Sequence, residues 1–160
     1  MFKIGDYITH PMHGAGVIES IVTKKINGSQ RGYYVLKLPV GDMVVMVPVS
    51  GCEDIGVRSI ISRSEAEKLF SAFSEIEISM TQNWNKRYRE NMDKIKSGNL
   101  LDVASVVKGL MCRDSERGLS TSERKMLHSA KQILISELVI ATDMDYDGVE
   151  KRLCAALKEG

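Results

Sequence analysis

The 160-residue chain contains one tryptophan, Trp84, and it sits among cations in Gln82-Asn83-Trp84-Asn85-Lys86-Arg87-Tyr88-Arg89. An aromatic ring between bases of this kind can wedge against or stack on nucleic-acid bases while the cations hold phosphate. The same spacing permits a second reading. Trp84, Tyr88, Met92 and Ile95 recur at helical intervals, so the tryptophan equally well begins a buried stripe. Further along, Arg124, His128 and Lys131 share one helical face, for which a solvated surface is the default reading.

Other residues with the right chemistry lack the right spacing. His10-x-x-His13 offers two imidazoles at a proline turn with no third His or Cys nearby, which makes a poor zinc site. His13-Gly14-Ala15-Gly16 lacks the Gly-Lys-Ser/Thr ending of a phosphate loop and runs into strand-like residues rather than a helix. Asp143, Asp145 and Asp147 alternate like the start of a calcium loop. Counted from Asp143, Gly148 does fall at the sixth position, but the twelfth is Cys154 where a glutamate is needed. They read better as acidic residues at the start of a helix. Cys52, Cys112 and Cys154 are odd in number and far apart, so a disulfide framework is not expected, and packing suits them better than nucleophilic work. With no acid–base pair, nucleophile or cofactor motif, the sequence reads as a protein that binds rather than catalyses, without metal or cofactor.

Two stretches of different periodicity must position these residues. Short runs rich in Val, Ile and Tyr at 6–10, 16–24, 32–38 and 43–47 are broken by His13-Gly14, Asn27-Gly28, Gly41-Asp42 and Pro48 with Gly51. Strands about ten residues apart with such turns predict a small, bent antiparallel sheet or barrel. The rest predicts helices. Ser64-Glu65-Ala66-Glu67 reads as a capping box opening a helix to about Phe73, and the polar stretch 74–81 reads as a linker. Further helices are expected over about 83–96, 99–113 and, from the capping box Ser120-x-x-Glu123, to about Ala141. Asp145 or Asp147 caps a last helix ending near Leu157. Leu100, Val103, Ala104, Val106, Val107 and Leu110 make the third of these the buried centre of a bundle. The expected class is therefore α+β, with a sheet domain over 1–60 and an all-α domain over 61–160.

The formal net charge is only +1, but it is unevenly spread. Residues 83 to 131 hold 11 Lys/Arg against 6 Asp/Glu, and residues 132 to 160 hold 3 against 6. A basic middle followed by an acidic tail is a candidate footprint for nucleic acid. The opening residues lack the apolar run of a signal peptide, and no apolar stretch approaches a membrane span. A soluble cytoplasmic protein is expected.

The same segments resemble the CarD family of bacterial transcription regulators. The resemblance is carried by Phe2-Lys3-Ile4-Gly5-Asp6, Pro11-x-His13-Gly14, Tyr33-x-Val35-Leu36-Lys37, Gly41-Asp42, Val47-Pro48 and Gly56-Val57-Arg58. It continues through Asn83-Trp84, Arg87-Tyr88, Val106-Val107, the run from Arg113 to Ser120, Glu123-x-x-Met126-Leu127 and Ala130-x-Gln132-Ile133-Leu134, and fades after Ala141. It implies a Tudor-like β-domain that binds the RNA polymerase β subunit. It also implies a helical domain that touches promoter DNA at the upstream edge of the transcription bubble, largely without reading sequence, in a protein expected to act as a monomer. In that picture Trp84 is the wedge, Lys86, Arg89 and Arg124 fall at basic DNA contacts with Arg87 a further candidate, and Lys24 falls at a polymerase contact. The chain departs from the family at Met46, where an arginine would supply a charged polymerase contact. The other reading is a protein-interaction adaptor that never touches DNA, with Trp84 in its core.

Overall fold

The computed structural model describes residues 1–78 and 80–159. Five strands come first: β1 (Tyr7–His10), β2 (Gly14–Ile26), β3 (Ser29–Leu38), β4 (Met43–Pro48) and β5 (Arg58–Ser59). They form one antiparallel sheet in the order β4-β3-β2-β1-β5. The β2–β3 hairpin closes on Asn27 and Gly28, both at positive φ (51° and 82°), which is the two-residue turn that Asn-Gly favours. A bulge between Ile18 and Ser20 bends β2 against β3. One face of the bent sheet closes over a small core of Ile8, Ile18, Tyr34, Leu36, Leu38 and Val47.

Five helices follow: α1 (Arg63–Phe73), α2 (Trp84–Lys96), α3 (Leu100–Arg117), α4 (Thr121–Thr142) and α5 (Tyr146–Glu159). The α+β class is as expected, and α3 is the buried centre of the bundle, with Val103, Ala104, Val106, Val107 and Leu110 out of solvent. Three local expectations are corrected. The cap of α1 is Ser62 with Glu65, not Ser64 with Glu67, because Glu67 instead pairs with Arg152 on α5. The segment 74–81, whose Ser79 lies outside the described residues, is not a free linker between the two halves. Ile76 and Met80 pack on the helical core, and the Lys108 ammonium donates to the carbonyls of Ser74 and Ile76, both at 2.8 Å. The two-residue strand β5 was not anticipated.

The sheet meets the bundle at α4. Gly14, at φ +96°, lies so close that a Cβ there would stand 2.6 Å from Ser136 Oγ and 3.3 Å from Ile133 Cα, so only glycine fits. The neighbouring Ala15 N–H donates to Ser136 Oγ at 2.8 Å. Beside it, Glu137 is fully buried and accepts from both terminal nitrogens of Arg58 (2.7 and 3.0 Å) and from the Ile61 N–H (2.8 Å). Arg58 Nε also donates to the carbonyl of Gly98 in the α2–α3 turn (3.0 Å). One guanidinium thus ties the end of the sheet to two parts of the bundle.

Candidate nucleic-acid interface

Trp84 opens α2, directly after the cap residue Asn83, whose side chain accepts the Lys86 N–H. The indole is 41% exposed, stacks on Tyr88 with ring centroids 5.2 Å apart, and donates its Nε1–H to Ser120 Oγ at 3.3 Å. Ser120 is the cap of α4, so the N-termini of α2 and α4 converge on the tryptophan. Helix N-termini carry the positive end of the dipole and suit anions. Lys86 and Arg89 are exposed on α2, and Arg124 is exposed one turn into α4 from Ser120. A half-exposed ring with three exposed cations from two helices is an arrangement that can meet a nucleic-acid strand. Lys131, further along α4, is paired with Glu150 at 2.7 Å and is not free in the same way.

The fully buried residues of α2 are Arg87, Asn91 and Ile95; of the apolar stripe, Tyr88 and Met92 pack partly buried against the helical core, while Trp84 at its start is half-exposed. Arg87, unlike its basic neighbours, is turned into the fold rather than toward solvent. It is 2% exposed, with Nε and Nη2 on the two oxygens of Glu123 (2.9 and 3.3 Å) and Nη1 on the carbonyls of Thr81 and Gln82 (3.1 and 3.0 Å). The expected capping box at α4 is only half formed for the same reason. Ser120 accepts the Glu123 N–H, but the Glu123 carboxylate faces Arg87. Burial alone would push the Glu123 carboxyl up, yet the hydrogen bond and charge of Arg87, helped by Arg113 and Ser120, hold it below its ordinary value of 4.5. A carboxyl lowered on folding stabilises the fold above pH 4.5 and yields that stabilisation as pH falls through its lowered value. Thermal midpoints of Arg87→Met should accordingly fall less than those of the unaltered chain as the pH is taken from about 6 to about 3. Parallel curves would assign the acid limb to other carboxylates, such as Glu67 beside Arg152.

The sheet carries the two residues expected at the polymerase contact, Lys24 and Met46. Met46, on the edge strand β4, stands opposite Val35, and Lys24 on β2 stands opposite Arg31. Val35 and Arg31 are four residues apart on β3 and so point to one face, placing Met46 and Lys24 on the same side of the sheet, about 13 Å apart along it. That side is the one away from the small core. Arg31, which the sequence reading missed, doubles the positive charge at Lys24. Its signal was its register against Lys24, which becomes visible once the Asn27-Gly28 turn fixes the hairpin.

His10 and His13 lie with ring centroids 4.6 Å apart. Burial, and then the neighbouring His13, lower the His10 pKa. His10 Nδ1 accepts the Met12 N–H at 3.0 Å, so the neutral ring keeps its proton on Nε2. Among the described residues no group of three or more His, Cys, Asp or Glu stands together, and no helix is long and apolar enough to cross a membrane.

The fold defines an α+β protein in which a Tudor-like sheet with β4 at one edge is joined to a helical bundle presenting an indole among cations. Residues 2–61 match the family described as CarD-like/TRCF RID domain, and residues 68–154 match CarD, C-terminal domain. The chain belongs to the CarD family. It is similar to the Bacillus subtilis (strain 168) protein named "Putative transcription factor YdeB", with 39% identity over 140 residues, covering 88% of this chain and 92% of that protein.

Proposed function

We propose that the protein is a transcription regulator that binds the RNA polymerase β subunit through the sheet of residues 1–60 and promoter DNA through the helices of residues 61–160, lengthening the life of the open complex. The observation that carries this reading is Trp84, held half-exposed between two helix N-termini with Lys86, Arg89 and Arg124 around it. Family membership and the name of the Bacillus subtilis relative point to transcription as the setting. The work is done in the cytoplasm by a single copy of the chain, without cofactor or catalytic step.

The energetics are those of a population shift. A factor moves an equilibrium only by the difference in its affinity for the two states, and about 1.4 kcal/mol changes their ratio tenfold. An indole wedge meets its site only where base pairs part at the upstream edge of the bubble, so it favours the open state. The cations hold phosphates, which positions the protein without reading sequence. The test is the lifetime of the open complex at a defined promoter after competitor challenge, with and without the protein. A longer lifetime is expected, and an unchanged one removes the reading.

On the sheet, β4 is an edge strand whose unpaired backbone groups can take a further strand, with Met43, Val44 and Met46 exposed along it. Lys24 and Arg31 extend the same face with positive charge. Met46→Arg should tighten binding to a polymerase β subunit that offers an acidic partner, through a charge-assisted contact. It should bring no gain with a subunit lacking that acid. Binding measured against both subunits decides, and loss of binding to both would take β4 out of the interface.

A further inference from the structure

We propose that Arg87 and Glu123 are positioning residues that bracket the wedge: together they fix the turn carrying Trp84 against the first turn of α4, so that the indole and the cations of both helices face one stretch of DNA in a set geometry. The proposal rests on the reading of Trp84 as a DNA contact and explains how that residue is aimed.

The side chains of the pair are each 3% exposed, and they are placed where Trp84 is held from both sides in sequence. Arg87 Nη1 binds the carbonyls of Thr81 and Gln82, just before Trp84, and Arg87 itself lies three residues after it. The guanidinium therefore closes a loop around the tryptophan. Its other two donors reach the Glu123 carboxylate on α4. Glu123 is linked in turn to Ser120, whose hydroxyl accepts both the Glu123 N–H (3.2 Å) and the indole Nε1–H. Ring, cap, carboxylate and guanidinium form one connected chain across two helices.

Chemistry explains why these two residue types are needed. Four acceptors lie in two directions from the Arg87 head, two carboxylate oxygens and two carbonyls. A planar five-donor fork can satisfy both sets, whereas a lysine ammonium is a single point. The buried pair is also electrically balanced, so it adds no net attraction for phosphate. A surface cation and a bracket thus leave different signatures. Loss of a phosphate contact lowers the slope of log affinity against log salt by about one, while loss of a bracket leaves the slope alone and frees the ring.

The experiment uses Arg87→Lys and Glu123→Gln in the full chain, below their melting temperatures. Trp84 is the only tryptophan, so its emission reports the site directly. Both variants are expected to keep polymerase binding, to shorten the open-complex lifetime about tenfold, and to hold the salt slope of the unaltered chain. Their emission should shift to the red, with easier acrylamide quenching. Arg89→Ala is the reference, with a lower slope and unchanged emission. A lowered slope in Arg87→Lys would make Arg87 a phosphate contact after all. Unchanged emission and lifetime would leave the pair a structural ion pair only. Either result overturns the proposal. Should Glu123→Gln melt too low, Ser120→Gly removes the hydroxyl while keeping a competent cap, and unchanged emission there counts equally against it. If Trp84→Ala leaves lifetimes untouched, the DNA-contact reading fails, and emission and quenching still judge the bracket by themselves.

Discussion

Arg58→Ala is expected to lower the stability of the chain by about 3–5 kcal/mol, the usual cost of leaving a buried charge without its partner. The reason lies in the asymmetry of the pair. Arg58 keeps a third of its side chain in solvent, whereas Glu137 is fully enclosed and cannot swing out to water. Removing the cation strands the carboxylate with only the Ile61 N–H to answer it. For a chain of this length the melting temperature should drop by roughly 10 °C. Glu137→Gln should cost less, because Arg58 can rehydrate. The double variant Arg58→Met/Glu137→Leu should recover much of the loss, since no buried charge remains. Thermal melts of Arg58→Met, Glu137→Leu and their double variant against the unaltered chain make a double-mutant cycle, and additive losses would show that the pair is not coupled.

Trp84→Ala is expected to do the opposite, sparing the fold and removing the effect on DNA. A fully buried tryptophan would cost about 3–5 kcal/mol on truncation. This ring is 41% exposed and touches mainly Tyr88 and Ser120, so its melting temperature should change little. Base–aromatic contacts are worth about 1–3 kcal/mol, so the open-complex lifetime should shorten by roughly tenfold or more while polymerase affinity holds. Lys86→Ala and Arg89→Ala should weaken DNA binding more evenly across promoters and each lower the salt slope by about one. A well-folded Trp84→Ala chain that lengthens open-complex lifetimes as well as the unaltered protein would favour a purely protein-bridging adaptor.

The fold was legible wherever local chemistry decides. Asn27-Gly28 marked its hairpin because few other pairs accept positive φ twice in succession. The apolar circumference of α3 marked the centre of the bundle. Where two registers satisfy the same rule, sequence could not choose: Ser62-x-x-Glu65 and Ser64-x-x-Glu67 are both capping boxes on paper. The choice was made by Arg152, 85 residues beyond Glu67. β5 is two residues long and too short to show alternation. The candidate site was visible in the sequence as a tryptophan among cations, but the place of Arg87 within it was not. That residue looks like its basic neighbours, and what distinguishes it is a carboxylate 36 positions away. Burial of a charge is a tertiary fact, and periodicity that counts only apolar residues passes over it.

The joint at Arg58 and Glu137 has a kinetic consequence. On the proposed function, with the sheet and the indole carried on one body, docking on polymerase would turn DNA capture from an encounter in solution into a reaction within a complex. Even short flexible connections give effective concentrations in about the millimolar range. The wedge then needs only feeble affinity for free DNA. Such weakness would leave the chain unoccupied along the rest of the chromosome and bring it into play only where a polymerase has already begun to separate the strands.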